Sequence, residues 1–359
     1  MFKLNNFIRI CVAIVLVMAI IYLGSLVDFL FKPILSLITI ITIPLMLSAF
    51  FYYLLRPLVN MMERKKINRS LAILLIYLVF GIVLVGFILG VWPSLRSQLL
   101  NLVNNAPSLF ASLNNQLQEL ERSEFLSNFF PKDVSPSTQV TNFLTQGFSF
   151  LTNYVTGLFS VISDITVIMF IFPIILFYML KESGDFGRAI VRITPKRFHE
   201  EMAKVIAEID RSLSNFIVGR VLINLALGVL MYFGFLIIGL PYALLLTVIA
   251  FIMNFIPFIG AILSSIPIVI IGLIESPSVA IWSLIVILVA QQIQDNLIAP
   301  YIFGKQLAIH PITTIVLVMV GGDLAGILGV LLIIPIYMII KIIVVRVYEI
   351  FFKRSWENI

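Results

Sequence analysis

Cysteine, histidine and charge are all scarce in this sequence, and each scarcity removes a class of protein. Among 359 residues there is one cysteine, Cys11, so no intrachain disulfide can brace the fold. The two histidines, His199 and His310, have no metal-ligand spacing around them, and neither a glycine-rich phosphate loop nor a Walker lysine occurs. Nothing therefore signals an enzyme, a metal centre or ATP hydrolysis, and no cofactor is expected. Charged residues make up 12% and apolar residues 61%, against about 25% and roughly 45–50% in ordinary soluble domains. No water-soluble core absorbs that excess. A bilayer offers the backbone no hydrogen-bonding partner, so so apolar a chain spans it as helices or as a closed barrel. The unbroken apolar runs far exceed the roughly ten-residue alternating strands of a barrel. The reading is an all-α integral membrane protein of about eight transmembrane segments, with the lipid bilayer as its first partner.

The formal charge of +6 would suggest nucleic acid in a soluble protein, but here it is a topology signal and no nucleic-acid partner is expected. The first apolar run, Phe7 to Val27, follows Lys3 and Arg9 and resembles a signal peptide. It is longer than a usual apolar signal core, and without an Ala-x-Ala-like site it reads as an uncleaved span. Runs from Ile34 to Leu55 and from Ser70 to Trp92 follow. Between them Arg56, Arg64, Lys65, Lys66 and Arg69 face one acid, Glu63, which marks a cytoplasmic loop. Residues 1–92 thus hold three spans, and 93–150, poorer in basic residues, lies on the opposite face. There Leu95, Leu99, Leu102, Leu109, Leu113, Leu117 and Leu120 recur at helical spacing, interrupted by Pro107. Two amphipathic outer helices are expected, packed on the protein's own outer surface or on a neighbouring subunit. A fourth span, 151–181, returns to a cytoplasmic amphipathic segment, 182–220, with its face on Phe198, Met202, Val205, Ile209, Leu213 and Phe216. Lys196, Arg197, Lys204 and Arg211 nearby suit a helix lying along the anionic leaflet. A short tail, 350–359, follows the C-terminal region 221–349, and both termini are expected in the cytoplasm of a bacterial cell, at its inner membrane.

Two C-terminal apolar runs are too long for one span. Leu244 to Ile274 would reach roughly 45 Å as one helix, against a hydrocarbon core of about 30 Å. Near its middle stands Asn254-Phe-Ile-Pro-Phe-Ile-Gly260, where Pro257 removes a donor and Gly260 relaxes the backbone. A long kinked helix and a re-entrant hairpin of two half-length arms both fit. Pro311 to Val345 repeats the pattern around Gly321, Gly322, Asp323, Gly326 and Gly329, and paired interrupted segments are what transporter repeats produce. The alternatives differ in where Pro300 to Pro311 lies: outside for full crossings, inside for hairpins.

A charge at the bilayer centre costs about 2.5–3.5 kcal/mol, so Asp164, Asp295 and Asp323 within apolar runs need a partner, a wet cavity or an interface. Gln291, Gln292 and Asp295 share adjoining helical positions with Asn296 beside them, a strip able to bind a polyol or hydrate a cation. Asn254, Pro257, Gly260, Gln291, Asp295, Asn296 and Asp323 are therefore the candidate substrate-binding or ion-coupling residues, for a small molecule or a cation. Asp164, among Ser160, Ser163 and Thr166, reads as hydrogen-bonded inside the bundle.

Several ordered motifs carry a family resemblance across essentially the whole chain. Ile209-Asp-Arg-Ser-Leu-Ser-Asn-Phe-Ile-Val-Gly-Arg220, Asn254-Phe-Ile-Pro-Phe-Ile-Gly260, and Asp295-Asn-Leu-Ile-Ala-Pro300 with Gly304-Lys, His310-Pro and Gly321-Gly resemble the autoinducer-2 exporter (AI-2E) family. The resemblance implies an eight-segment inner-membrane homo-oligomer that exports the furanone-type signal autoinducer-2 or related small molecules. Some members look like Na⁺(Li⁺)/H⁺ antiporters instead. This chain has Arg220 where glutamine is common, Ala261 where proline is common, and Asp323 as an added acid at the Gly-Gly turn. A third reading keeps the scaffold but makes it a non-transporting envelope or partner-binding protein acting through 93–150.

Overall fold

The computed structural model describes residues 28–122, 165–257, 259–303 and 309–349, together with 8, 9, 12, 15, 16 and 18. The body of the first run, Asp164 and Lys305 lie outside these residues. Among the described residues all regular structure is helical, as the composition demands. Among the described residues four helical stretches are long and apolar enough to cross a bilayer: Ile41–Arg64, Arg69–Asn105, Lys196–Ile237 and Pro277–Phe303. Shorter apolar helices, among them Ala243–Met253 and Ile259–Glu275, complete the bundle.

Helix α1 (Asp28–Arg64) and α2 (Arg69–Gly86) form an antiparallel pair with α4 (Ile165–Lys181), joined over a core of Val59, Ala72, Ile73 and Leu180. Polar side chains lock the crossings onto backbone carbonyls. Ser48 Oγ donates to the Phe172 carbonyl at 3.1 Å, Tyr77 Oη to Pro173 at 2.7 Å and Arg69 Nε to Leu180 at 2.7 Å. The other side of α2, with Leu78, Val79, Ile82 and Val83 exposed, is an unbroken apolar surface of the kind lipid covers.

A π-helical turn, Phe87–Val91, redirects α2 into α3 (Trp92–Arg122). Pro107 does not divide this segment as the sequence suggested, because a proline deletes a single backbone donor and the rest of a 31-residue helix absorbs that loss. The start of the leucine stripe packs on the protein itself: Leu95 and Leu102 are buried in the main core with Leu240, Ala243 and Leu246, whereas the side chains of Leu109, Leu113, Leu117 and Leu120 lie outside the described ones. Gln98 Oε1 accepts from the Leu245 amide at 3.0 Å, which ties α3 to the C-terminal region.

After α5 (Asp185–Ile193), helix α6 runs unbroken from His199 to Ile237, 39 residues. The expected leaflet-lying helix is thus the first half of a spanning helix, and its stripe turns inward, since Val205, Leu213 and Ile217 are buried. Burial against neighbouring helices outweighs burial in the headgroup layer because it removes the same apolar area and adds close packing.

The two overlong runs both fold back. In the first, α7 (Ala243–Met253) and α8 (Ile259–Glu275) have 11 and 17 residues, roughly 16 and 25 Å, each short of a 30 Å core. Their turn covers Asn254 to Pro257, and a Cβ on Gly260 would lie 2.0 Å from the Met253 carbonyl oxygen, so only glycine allows this closure. A single kinked helix is excluded. The second run, α11 (Pro311–Tyr348), is helical throughout yet is no rod. Gly326 has φ +57°, and a Cβ on Gly321 would lie 2.7 Å from the Gly329 carbonyl oxygen and 2.9 Å from Ile333 Cβ. In a straight helix residues eight apart are separated by about 12 Å. The chain reverses near Gly326 and makes a second hairpin.

Between the hairpins, α9 (Pro277–Ile293) continues through a π turn, Gln294–Ile298, into α10 (Ala299–Phe303). The Phe303 ring stacks on Phe216 of α6 at 6.5 Å, which puts this end beside the early part of α6. The second hairpin opens at that same end, where Arg346 donates to Glu208 at 2.7 and 2.9 Å. The first opens at the other end, beside Gln98 and Ile237, and its tip reaches Arg220. The hairpins thus enter the bundle from opposite ends of α6.

Candidate functional site

Where the first hairpin turns, three elements bring polar side chains into an apolar interior. From α6 come Arg220 and, one turn on, Asn224; from α7 and its turn, Thr247 and Asn254; from α9 and the π turn, Gln291 and Gln294. Asn254 is 4% exposed, donates its amide to the Ala250 carbonyl at 2.9 Å and accepts from Gln291 Nε2 at 3.3 Å. Arg220 donates to the Asn254 carbonyl at the carboxyl end of α7, where a cation meets the negative end of the helix dipole. Gln294, 5% exposed, donates to Asp295 Oδ1 at 3.1 Å.

The seam is under-satisfied. Arg220 Nε, both amide atoms of Asn224, Thr247 Oγ1 and Gln294 Oε1 are enclosed without a hydrogen-bond partner among the described residues. Each such atom costs about 1–3 kcal/mol when buried dry. Five such atoms on the three elements that meet at the first hairpin are groups a polar guest would satisfy, where an apolar core of the same shape would be cheaper for stability alone. Arg220 and Asp295 make no ion pair with each other among the described residues.

The candidates from sequence divide. Asn254 and Gln291 meet directly, and Pro257 and Gly260 form the turn that carries Asn254. Asp295 borders the seam with its side chain exposed, because the π turn starting at Gln294 breaks the α register that would align it with Gln291. Asn296 donates to Gln292 on the exposed face of the same helix. Asp323 is exposed near the second hairpin turn, without a hydrogen bond to the seam. Asn224, Thr247 and Gln294 were missed, and Arg220 was noted only as a departure from a motif. The signal in the sequence is that Arg220 and Asn224 stand four apart in an otherwise apolar stretch, a basic and an amide side chain on one face of a membrane helix.

Against known proteins, residues 8–349 match the family described as AI-2E family transporter. The chain belongs to that family. Within that family it is similar to YueF of Bacillus subtilis (strain 168), provisionally named a transport protein. They are 34% identical over 332 residues, covering 91% of this chain and 90% of that one. YrrI of the same organism, named in the same way, is 29% identical over 348 residues, 96% of each chain. PerM of Escherichia coli (strain K12), provisionally named a permease, is 26% identical over 304 residues, 84% of this chain and 86% of the other. Family, helical fold and apolar spans together make this chain a multi-pass membrane protein of a transport family.

Proposed function

We propose that the chain is a secondary transporter, exporting autoinducer-2 or a similar small polar solute by alternating access around the seam at the first hairpin tip. One observation carries the reading: a broken, re-entrant backbone delivers Asn254 to Gln291 and Arg220 amid enclosed, unpartnered polar atoms. Broken helices whose ends meet inside the membrane are how transporter folds build central sites. The C-terminal region, 221–349 with the inner half of α6, moves or rocks against the N-terminal spans. Positive-inside bias puts Arg64–Arg69, residues 181–215 and both termini in the cytoplasm of a bacterial inner membrane, and 93–150 outside. The first hairpin then enters from outside and the second from the cytoplasm. Gln292, Asp295 and Asn296, exposed on a spanning helix, are too costly to leave in lipid and support a homo-oligomer or a wet cavity at that face.

The antiport alternative, Na⁺ or Li⁺ for protons, draws on the exposed carboxylates Asp295 and Asp323, while the Arg220 guanidinium at the tip opposes a cation there. Reconstituted vesicles decide between them. Export of a polar solute gives autoinducer-2 flux with a preset pH gradient unaffected by Na⁺; antiport collapses that gradient when Na⁺ is added. Asp295→Asn is expected to abolish flux with expression and oligomer size intact, and unchanged flux removes Asp295 from the site. Deleting 93–150 with flux retained separates transport from any partner-binding role of that segment.

A further inference from the structure

Where α1 ends beside α6, away from the hairpin seam, a cavity of about 460 Å³ is lined by Arg56, Asn60 and Arg64 on one side and Asp210, Arg211 and Ser214 on the other. Arg56 is already committed. Its Nη1 donates to Asp210 Oδ1 at 2.6 Å and Oδ2 at 2.7 Å, and its guanidinium lies 5.6 Å from the centre of the Tyr52 ring. That pair closes the floor and fixes α1 against α6. Arg64 and Arg211 make no ion pair among the described residues. Three arginines against one aspartate leave two positive charges facing the cavity. Asn60 and Ser214 add a neutral amide and a hydroxyl that could donate to an anion.

The depth of the cavity narrows the class of anion. The apolar run of α1 ends at Leu55 and the apolar stretch of α6 begins at Phe216, so residues 56–64 and 210–215 lie just past both hydrocarbon boundaries. This is headgroup level, on the face that carries the basic loops. Pro57 and Met61, both exposed, form an apolar lip on the α1 side. A free inorganic anion gains nothing from such a lip, whereas the glycerol and first acyl carbons of a phospholipid do. Basic pockets between spanning helices on the cytoplasmic side suit anionic lipid headgroups, and a planar guanidinium binds phosphate oxygens in pairs.

We propose that this cavity binds the phosphate headgroup of an anionic phospholipid, with Arg64 of α1 and Arg211 of α6 as the two charged contacts. A bound lipid links the N-terminal spans to the first helix of the C-terminal half at their inner ends. The inference is independent of the transport reading, because none of these residues belongs to the hairpin seam.

The test uses the full chain purified in dodecyl maltoside and follows thermal unfolding during titration with mixed micelles of dioleoylphosphatidylglycerol, dioleoylphosphatidylcholine, or inorganic phosphate alone. Phosphatidylglycerol is expected to stabilise saturably, phosphatidylcholine and phosphate far less. At about 1 kcal/mol per arginine near an anionic surface, Arg64→Gln weakens apparent affinity about five-fold, and with Arg211→Gln about 25-fold. Both side chains are exposed, so the fold survives, and the paired lysine variant retains most of the binding. If the double glutamine variant does not fold, rising NaCl on the unaltered protein must weaken phosphatidylglycerol binding. Equal stabilisation by phosphatidylcholine, undiminished affinity in the double variant, or indifference to salt overturns the proposal. Phosphate alone matching phosphatidylglycerol overturns the lipid assignment in favour of a free-anion site.

Discussion

Replacing Gly321 by alanine distinguishes a folded-back α11 from a continuous rod by the sign of the effect. In an uninterrupted helix, alanine is favoured over glycine by about 0.8–1.0 kcal/mol, so the substitution stabilises. In the hairpin the new Cβ would lie 2.7 Å from the Gly329 carbonyl oxygen, 2.9 Å from its carbon and 2.9 Å from Ile333 Cβ. Backbone atoms cannot rotate out of the way. Overpacking costs about 1–3 kcal/mol, and with backbone as the obstacle the upper end applies, leaving about 2 kcal/mol of net destabilisation after the propensity gain. Three companions calibrate the measurement. Gly322→Ala meets Val330 Cγ2 at 3.4 Å, close to ordinary contact, and should be neutral or mildly stabilising. Gly326→Ala has open space but φ +57°, which costs a side chain about 1–2 kcal/mol. Gly81→Ala, with nothing within 4 Å, reports helix propensity alone. Thermal unfolding of the purified protein in detergent should rank Gly81→Ala and Gly322→Ala at or above the unaltered chain, and Gly326→Ala and Gly321→Ala below it. If Gly321→Ala and Gly326→Ala raise the midpoint as much as Gly81→Ala does, the fold-back is wrong.

Asn254→Ala removes the acceptor of Gln291 and leaves an enclosed donor at the tip; flux in reconstituted vesicles should fall more than ten-fold, while a size-exclusion profile identical to the unaltered protein shows that the bundle survives. Arg346→Ala breaks the bonds to Glu208 and Glu349, but with side-chain exposures of 38% and 42% such pairs are screened by solvent and contribute little. Its unfolding midpoint should move little, and that small difference should vanish in high salt.

The sequence announced its hairpins through length and punctuation. Thirty apolar residues do not fit one crossing, and Pro257, Gly260 and the Gly321–Gly329 cluster stand where a chain would reverse. What it left open was which of two reversals occurs, because kink and hairpin share those residues and differ only in tertiary contacts such as Gly321 against Gly329. Pro107 shows the converse: a strong local breaker lost to the helix around it. The polar seam was half legible. Asn254 and Gln291 stood out as polar residues in apolar runs, but the face presented by Asp295 depends on a π turn that periodicity does not reveal. Arg220 and Asn224 join a polar seam only when another helix end arrives beside them.

Two hairpins entering from opposite membrane faces are what would bring a polar tip into the bundle. With Cys11 replaced by alanine, single cysteines at Ser278, where α8 passes into α9, and at Lys305, in the connection before the second hairpin, are labelled in intact cells with a membrane-impermeant maleimide. Ser278→Cys should react at once and Lys305→Cys only after permeabilisation. Both reacting from the same side of the membrane would contradict the account.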